Sequence, residues 1–343
     1  MKRAVLISVV IPTYNRKERL IRCLSSVAAN DLQDCEVIVV DDGSVDGTGD
    51  MISEKYQWVT LVYQQNSGVS RARNHGMEIA KGRFVAFLDS DDSWYPERLA
   101  IMKKVLAVLP QQVHIIFNDM DSLVGIQGDS VSYSDKYFGI PRQPLVDAMQ
   151  NSFPVYTGKC DIDVKFGNVY KELISGNILQ PSNVLLRHQA FVEDGGFRED
   201  FRVANDSEYF LRLSILREIA YIPIILTTLE PPIMADSLSN RENSIEKITN
   251  MLCAIQMHHD NCETQQIRSV LLDRKSELQA LLAYHYLSDL KNKDARTAYK
   301  EAINTRPGNL KFWIMWLLSF SPRCLLLAGG RCKSLMGRLF SNG

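Results

Sequence analysis

The sequence predicts an α/β fold, a mostly parallel central sheet with helices on both faces, followed by a C-terminal helical extension. Three observations predict it. Strands and helices alternate over about the first hundred residues, the strand Phe84-Val85-Ala86-Phe87-Leu88 is apolar without alternation, and polar clusters follow three of the strands. Such alternation builds right-handed βαβ crossovers and a sheet covered on both faces. A strand that is apolar on both sides belongs in the interior of that sheet.

The elements follow in order. The opening MKRAVLISVVIP has the basic start and apolar run of a signal peptide, but no small-residue cleavage site follows and Pro12-Thr13-Tyr14-Asn15 closes the run. It reads instead as a first strand, Ile7 to Ile11, ahead of a helix from about Lys17 to Ala29. Strand two is Glu36 to Val40, and a helix covers about Thr48 to Tyr56. Strand three is Val59 to Tyr63, a helix runs near Val69 to Ala80, and strand four is Phe84 to Leu88. The polar stretches PTYNR, DDGSVDGT and DSDD then fall on one edge of the sheet, where open α/β folds bind ligands.

Composition bounds the function. A chain of 343 residues holds one large domain or a large and a small one. Its 39 basic and 40 acidic residues set up no global field, so no nucleic-acid partner is expected. Seven cysteines without a CxxC pair do not make a complete disulfide framework, which points to a reducing, cytoplasmic setting. No apolar run reaches the roughly 18 residues of a membrane span.

Two acidic strand ends carry the chemistry. Asp89, Asp91 and Asp92 repel one another unless a cation or hydrogen-bond donors hold them. The residues alone leave two readings open, a cation site and an acidic turn capping the segment from Pro96. At the other end, Asp41 and Asp42 close a strand, Gly43 permits a tight turn, and Ser44 or Asp46 can cap the next helix. A carboxylate there can accept from a ribose hydroxyl or a base N–H; a capped turn is the plain alternative. Neither GxGxxG nor GxxxxGK[ST] occurs, so neither a Rossmann dinucleotide site nor a P-loop is supported. The phosphates of a nucleotide bound here are expected to meet a metal rather than a glycine cradle.

The stretches VVIPTYNR (9–16), VVDDGSVDGT (39–48), NSGVSRARNHGMEIAKGRFVAFLDSDD (66–92), SNVLLRHQAFVEDGGF (182–197) and NDSEYFLRL (205–213) resemble, in order and spacing, the motifs of family 2 glycosyltransferases. The resemblance covers residues 5 to about 230. It implies a glycosyltransferase A-type fold, also called the nucleotide-diphospho-sugar transferase fold. It also implies an activated donor such as a UDP-sugar, a divalent cation (Mn²⁺ or Mg²⁺), and inversion at the anomeric carbon.

Carried over by residue, Asp42 resembles the nucleotide-binding aspartate, and Pro12, Thr13 and Tyr14 fall where the first strand's end meets the base. Asp89 resembles the acid near ribose or metal, and Asp91 the metal ligand; hard oxygens suit either cation. Asp92 reads as a structural acid. Asp206 resembles the catalytic base, with Asn205 standing where the family usually has Glu. Arg73, beside Arg71 and Asn74, falls next to the donor. A nucleotide-binding role and a structural salt bridge both stay open for it.

The remaining sequence divides by character. The character changes to helices after about residue 235, giving a catalytic domain over 1–235, with a donor half of about 1–118 and an acceptor half of about 119–235, and a helical extension over 236–343. Residues between about 120 and 180 read as loops with one or two short helices that carry acceptor contacts. In the extension, Tyr286, Ala295, Tyr299, Ala302 and Pro307 match the offsets of one tetratricopeptide-like hairpin, whose unpaired faces must pack on neighbouring helices, on the catalytic domain or in an oligomer. The final stretch, FWIMWLLSFSPRCLLLAGGRCKSLMGRLF, is acid-free, with Arg323, Arg331, Lys333 and Arg338 among apolar residues. It suits a helix on an anionic membrane surface, and equally a last bundle helix with a basic tail.

The function these features imply is an inverting, metal-assisted transferase. It would move a hexosyl or N-acetylhexosaminyl group from a nucleotide-sugar donor to a saccharide or lipid-linked saccharide acceptor, at the inner face of the cell membrane. The alternative is a catalytically silent nucleotide-sugar-binding scaffold.

Overall fold

The computed structural model describes residues 4–122, 142–176, 178–230 and 243–320. The chain divides into two compact units, Met1–Ile233 and Met234–Gly343.

The first unit is built on one ten-stranded sheet. Strands β1 (Ile7–Thr13), β2 (Cys35–Asp41), β3 (Val59–Tyr63) and β4 (Phe84–Phe87) are joined by helices α1 (Lys17–Ala28), α2 (Thr48–Lys55) and α3 (Val69–Ile79). All pairings within the order β3-β2-β1-β4 are parallel. Every residue of β1 is buried, as a central strand covered on both faces requires. The alternation of apolar strands with amphipathic helices is thus realised as three consecutive βαβ units.

Beyond β4 the sheet becomes mixed. The short strand β5 (Ser93–Trp94) is followed by α4 (Arg98–Val108) and β6 (Val113–Ser122), then α5 (Arg142–Ala148) and the hairpin β7 (Asn151–Tyr156) and β8 (Asp161–Gly167). Helix α6 (Tyr170–Ser175), a 3₁₀ turn at Pro181–Asn183, β9 (Val184–Arg187), α7 (His188–Asp194), α8 (Asn205–Leu213) and β10 (Glu218–Leu229) complete the unit. Strand β9 lies antiparallel between β4 and β6, while β6 and β10 run parallel. The segment between 142 and 175 therefore holds a hairpin as well as two short helices. Pro154 within β7 and three charges within β8 break the apolar pattern that marks strands elsewhere.

The second unit is helical: α9 (Ser244–Asp260), α10 (Gln265–Ser288), α11 (Asn292–Thr305) and α12 (Leu310–Leu318). Its core sets Ala280 and Ala283 of α10 against Ala298, Tyr299, Ala302 and Ile303 of α11, with Phe312 and Met315 of α12 packed in. Alanines at the crossing let two helices approach closely, and the fully buried Tyr299 fills the remaining space. The hairpin's open faces are covered by α9 and α12. Residues 321–343, with most of the basic tail, lie outside the described residues.

Candidate active site

The C-terminal ends of β1, β2 and β4 lie side by side because their strands pair in parallel. The turns after β1 and β2 are braced to each other. The Asn15 N–H donates to Ser44 Oγ at 2.9 Å, Val45 N–H to Asn15 Oδ1 at 2.9 Å, and Lys17 N–H to Asp46 Oδ2 at 3.0 Å. Asn15 takes a left-handed conformation (φ 50°) to make this exchange, a cost of about 1 kcal/mol tolerated where surrounding bonds fix it. Pro12 and Thr13 are buried at the strand end, Thr13 with its hydroxyl unpartnered among the described residues, and Tyr14 is exposed.

Asp42 is buried and both of its carboxylate oxygens accept hydrogen bonds. Oδ1 accepts from Gln64 Nε2 and the Ser67 N–H, and Oδ2 from the Gly68 N–H, each at 2.8 Å. Gly68 is the residue before α3, so Asp42 supplies the negative charge and the acceptors that a helix start lacks. Its most direct structural effect is to hold α3, and with it Arg73 and Asn74.

The end of β4 is organised differently. Asp89 accepts from Arg73 Nη2 at 2.6 Å, and its N–H donates to Ser182 Oγ at 3.0 Å. Asp91 Oδ2 is ion-paired with Arg16 and, at 3.1 Å, with Arg19. Arg22 forks onto Glu230 at 2.9 and 2.7 Å. Asp92 is buried; it accepts from Ser182 Oγ at 2.5 Å and from the Glu230 N–H at 3.2 Å. Burial pushes the Asp92 carboxyl well above the usual range, and the neighbouring Asp91 and Asp89 push it further the same way. Asp91 is raised as well, by burial first, against the lowering pull of Arg16. A buried acid raised in this way gains from any nearby cation.

The donor set decides what cation fits. Among the described residues no three His, Cys, Asp or Glu side chains come together as a closed metal cage. Asp91 and Asp89 offer hard oxygens from one turn, which suits a cation that takes one or two carboxylates and fills its other positions with phosphates and water. Mg²⁺ and Mn²⁺ both answer that description.

Asp206 stands in the first turn of α8, partly exposed. Among the described residues its Oδ1 accepts from the adjacent Ser207 N–H, at 2.8 Å, and from the Ser207 hydroxyl at 3.5 Å. The competing acid, Glu208, is buried and committed to Arg212 at 2.7 and 3.2 Å. Asn205 is tied to the donor side: Arg73 Nη1 donates to its Oδ1 at 3.0 Å while Nη2 of the same guanidinium holds Asp89. Arg73 is nearly inaccessible and lies over the Phe197 ring at 5.1 Å. One side chain of α3 therefore links the β4 turn to the start of the Asp206 helix. Ala204, just before that helix, adopts φ 60°, a conformation non-glycine residues hold only when their neighbours fix it.

Asn74 reinforces the link. It donates to the Phe197 carbonyl at 2.9 Å and accepts the Phe197 N–H at 2.8 Å. A β-carbon on Gly196 would run into the Asn74 side chain, so the Gly195-Gly196-Phe197 stretch can lie against α3 only as glycine. Of the residues singled out in the sequence, Asp89 and Arg73 meet directly, Asp91 follows in the same turn, and Arg73 brings in Asn205 beside Asp206. Arg16, Arg19, Arg22, Ser182 and Glu230 join them without having been anticipated. The three arginines follow one another every third residue into α1, a spacing that places Arg19 and Arg22 on one face. Glu230 carries no such signal.

This arrangement, a βαβ half with acids at the strand ends and a mixed half carrying a further acid, is the nucleotide-diphospho-sugar transferase fold. The chain matches the family described as glycosyl transferase family 2 over residues 8–122. It is 41% identical over 99 residues to the putative teichuronic acid biosynthesis glycosyltransferase TuaG of Bacillus subtilis, covering 27% of this chain and 39% of that protein. The chain thus spans well under half the length of this curated relative. Among solved structures, the mannosyltransferase PcManGT of Pyrobaculum calidifontis, in complex with GDP-Man and Mn²⁺, superposes with a TM-score of 0.58 at 16% identity, over 97% of this chain and 81% of that one. S. aureus TarS 1-349 in complex with UDP-GlcNAc gives 0.56 at 18% identity, over 88% and 81%. Both likenesses are of fold. No described helix is long and apolar enough to cross a membrane.

Proposed function

We propose that this protein is an inverting glycosyltransferase that moves a hexosyl or N-acetylhexosaminyl group from a nucleoside-diphosphate donor, a UDP-sugar, to a hydroxyl of a saccharide or lipid-linked saccharide. The observation that carries this reading is the Arg73 bridge, which joins the acidic β4 turn to the helix start bearing Asp206. Pro12, Thr13, Tyr14 and Asp42 are assigned to the nucleoside side and Asp89 to the ribose or cation. Arg73 acts on the donor side through Asp89. Asp91, with Asp89, is assigned to Mn²⁺ or Mg²⁺, which when bound supplies Lewis-acid stabilisation to the departing diphosphate. Asp206, with one oxygen unclaimed by the described residues, takes the acceptor hydroxyl's proton as the sugar is displaced.

The catalytic domain is assigned to residues 1–235 and the extension to 236–343. The extension presents Trp313, Ile314, Leu317 and Phe320 outward, and with the acid-free tail it serves as a peripheral contact to the cytoplasmic face of the membrane or to another copy of the chain. Co-sedimentation with anionic vesicles at low and high salt distinguishes the two, since only the membrane contact pellets with vesicles and is released by salt.

The activity is tested by nucleoside-diphosphate release from a panel of donors, with and without acceptor and metal. Release that needs Asp206 and a divalent cation is the expected result. Donor binding without turnover on any donor–acceptor pair would favour the scaffold reading.

A further inference from the structure

The carboxylate assigned to the cation is already occupied by cations of the protein's own. Asp91 Oδ2 faces Arg16 and Arg19, and its side chain is only 20% exposed, so an arriving metal ion cannot reach that oxygen without displacing at least one guanidinium. Arg19 is also within reach of Glu230, at 4.0 Å, and Glu230 is fixed in turn by Arg22 and by its N–H on Asp92. A displaced Arg19 therefore keeps one partner on the same edge.

Charge counting gives the direction. Asp89, Asp91, Asp92 and Glu230 share this edge with Arg16, Arg19, Arg22 and Arg73. The three carboxylates held in ion pairs, Asp89, Asp91 and Glu230, face four guanidiniums, so the edge needs no metal to offset its acids. A divalent cation on Asp91 adds two positive charges to this edge, which a diphosphate matches and an uncharged nucleoside does not. Guanidiniums freed beside a diphosphate are suited to it, because their planar fork matches phosphate oxygens.

We propose that Arg16 and Arg19 are resident counter-cations of Asp91 that exchange for the divalent cation and then serve as further ligands of the donor's diphosphate. The proposal rests on Asp91 being a metal ligand, and the experiment separates the two. Mn²⁺ binding to the donor-free full-length chain is followed by electron paramagnetic resonance, and UDP binding at saturating Mn²⁺ by calorimetry. Variants are Arg16→Gln, Arg19→Gln, the charge-keeping Arg19→Lys and Asp91→Asn, with thermal melting to confirm that each is folded.

Removing one competing charge should tighten Mn²⁺ binding by about three- to tenfold and weaken UDP binding at saturating Mn²⁺ by a similar factor, as partly exposed charge pairs allow. Arg19→Lys should stay close to the parent in Mn²⁺ affinity. If Asp91→Asn weakens Mn²⁺ binding while both glutamine variants leave it unchanged, the exchange is overturned and the metal assignment stands. Tighter Mn²⁺ with unaltered UDP affinity overturns the diphosphate role. Mn²⁺ binding indifferent to Asp91→Asn removes the metal assignment and the exchange together.

Discussion

The ends of β2 and β4 are both acidic, both at the same edge of the sheet, and held in opposite ways. After β2, the Asp42 carboxylate is enclosed by two backbone N–H groups and one glutamine amide. After β4, Asp89 and Asp91 are held by arginines reaching in from α3 and from the turn and helix after β1. Main-chain donors are fixed by the fold itself, so Asp42 is part of the scaffold that sets α3. Guanidiniums on long side chains can turn away and return at little cost to the backbone, so the β4 end can trade partners during a reaction cycle. Asp206 lies further along that scale, holding, among the described residues, the amide and hydroxyl of its neighbour.

The sharpest way to break this ordering is at the least restrained acid. Asp206→Asn keeps the shape and the Ser207 bond but removes the basic oxygen. Turnover should fall by about 10² to 10⁴ while donor affinity and melting temperature stay near the parent. A steady-state assay paired with donor titration checks this. Loss of donor binding alongside rate would make Asp206 a structural residue and place the base elsewhere.

Asp42→Asn comes next, with the opposite signature. An amide must turn one donor group toward groups that are themselves donors, Gln64 Nε2, Ser67 N–H or Gly68 N–H, and leaves a buried mismatch. The expected loss of stability is about 1 to 3 kcal/mol, read by denaturant unfolding, together with weaker donor binding as the turn at 64–68 and α3 loosen. Unchanged stability would show that the three bonds are not what sets α3, and the contrast between the two strand ends would fail.

Much of this geometry was legible in the sequence because it is local. The strand–helix alternation up to residue 88 and the acidic turns follow from periodicity and from residues close together in the chain. The hairpin β7–β8 was not legible, since Pro154 and the charges of β8 disguise two strands whose pairing, not their composition, makes them stable. Arg73 was singled out but its target was not: Asn205 lies 132 residues away, and only the folded chain shows one guanidinium shared between it and Asp89. Glu230 is more distant still from Arg22, and a lone acid after a strand carries no local mark of its partner. The hairpin of α10 and α11 was read from the offsets of Tyr286, Ala295, Tyr299 and Ala302, small and aromatic residues whose spacing reflects the contact they make.

The smallest expected effect concerns Asp92, the one acid of the β4 turn without an ion-pair partner among the described residues. Burial and the neighbouring acids raise its folded-state pKa above the unfolded value of about 3.9. Between those two values the folded protein binds the extra proton, so stability falls as pH rises through that window and levels off above the folded pKa. Asp92→Asn keeps the size of the group, can donate to Ser182 Oγ and accept from the Glu230 N–H, and carries no proton to lose. Its stability should match the parent at the acid end of the window and exceed it above. The measurement is chemical denaturation at a series of pH values, and the predicted result is a flatter profile for the variant. Parallel profiles would mean that Asp92 ionises freely in the folded chain and that Ser182 and the Glu230 amide suffice to hold its charge. In that case Asp92 would carry its charge in the folded chain beside the ion pairs of Asp89 and Asp91.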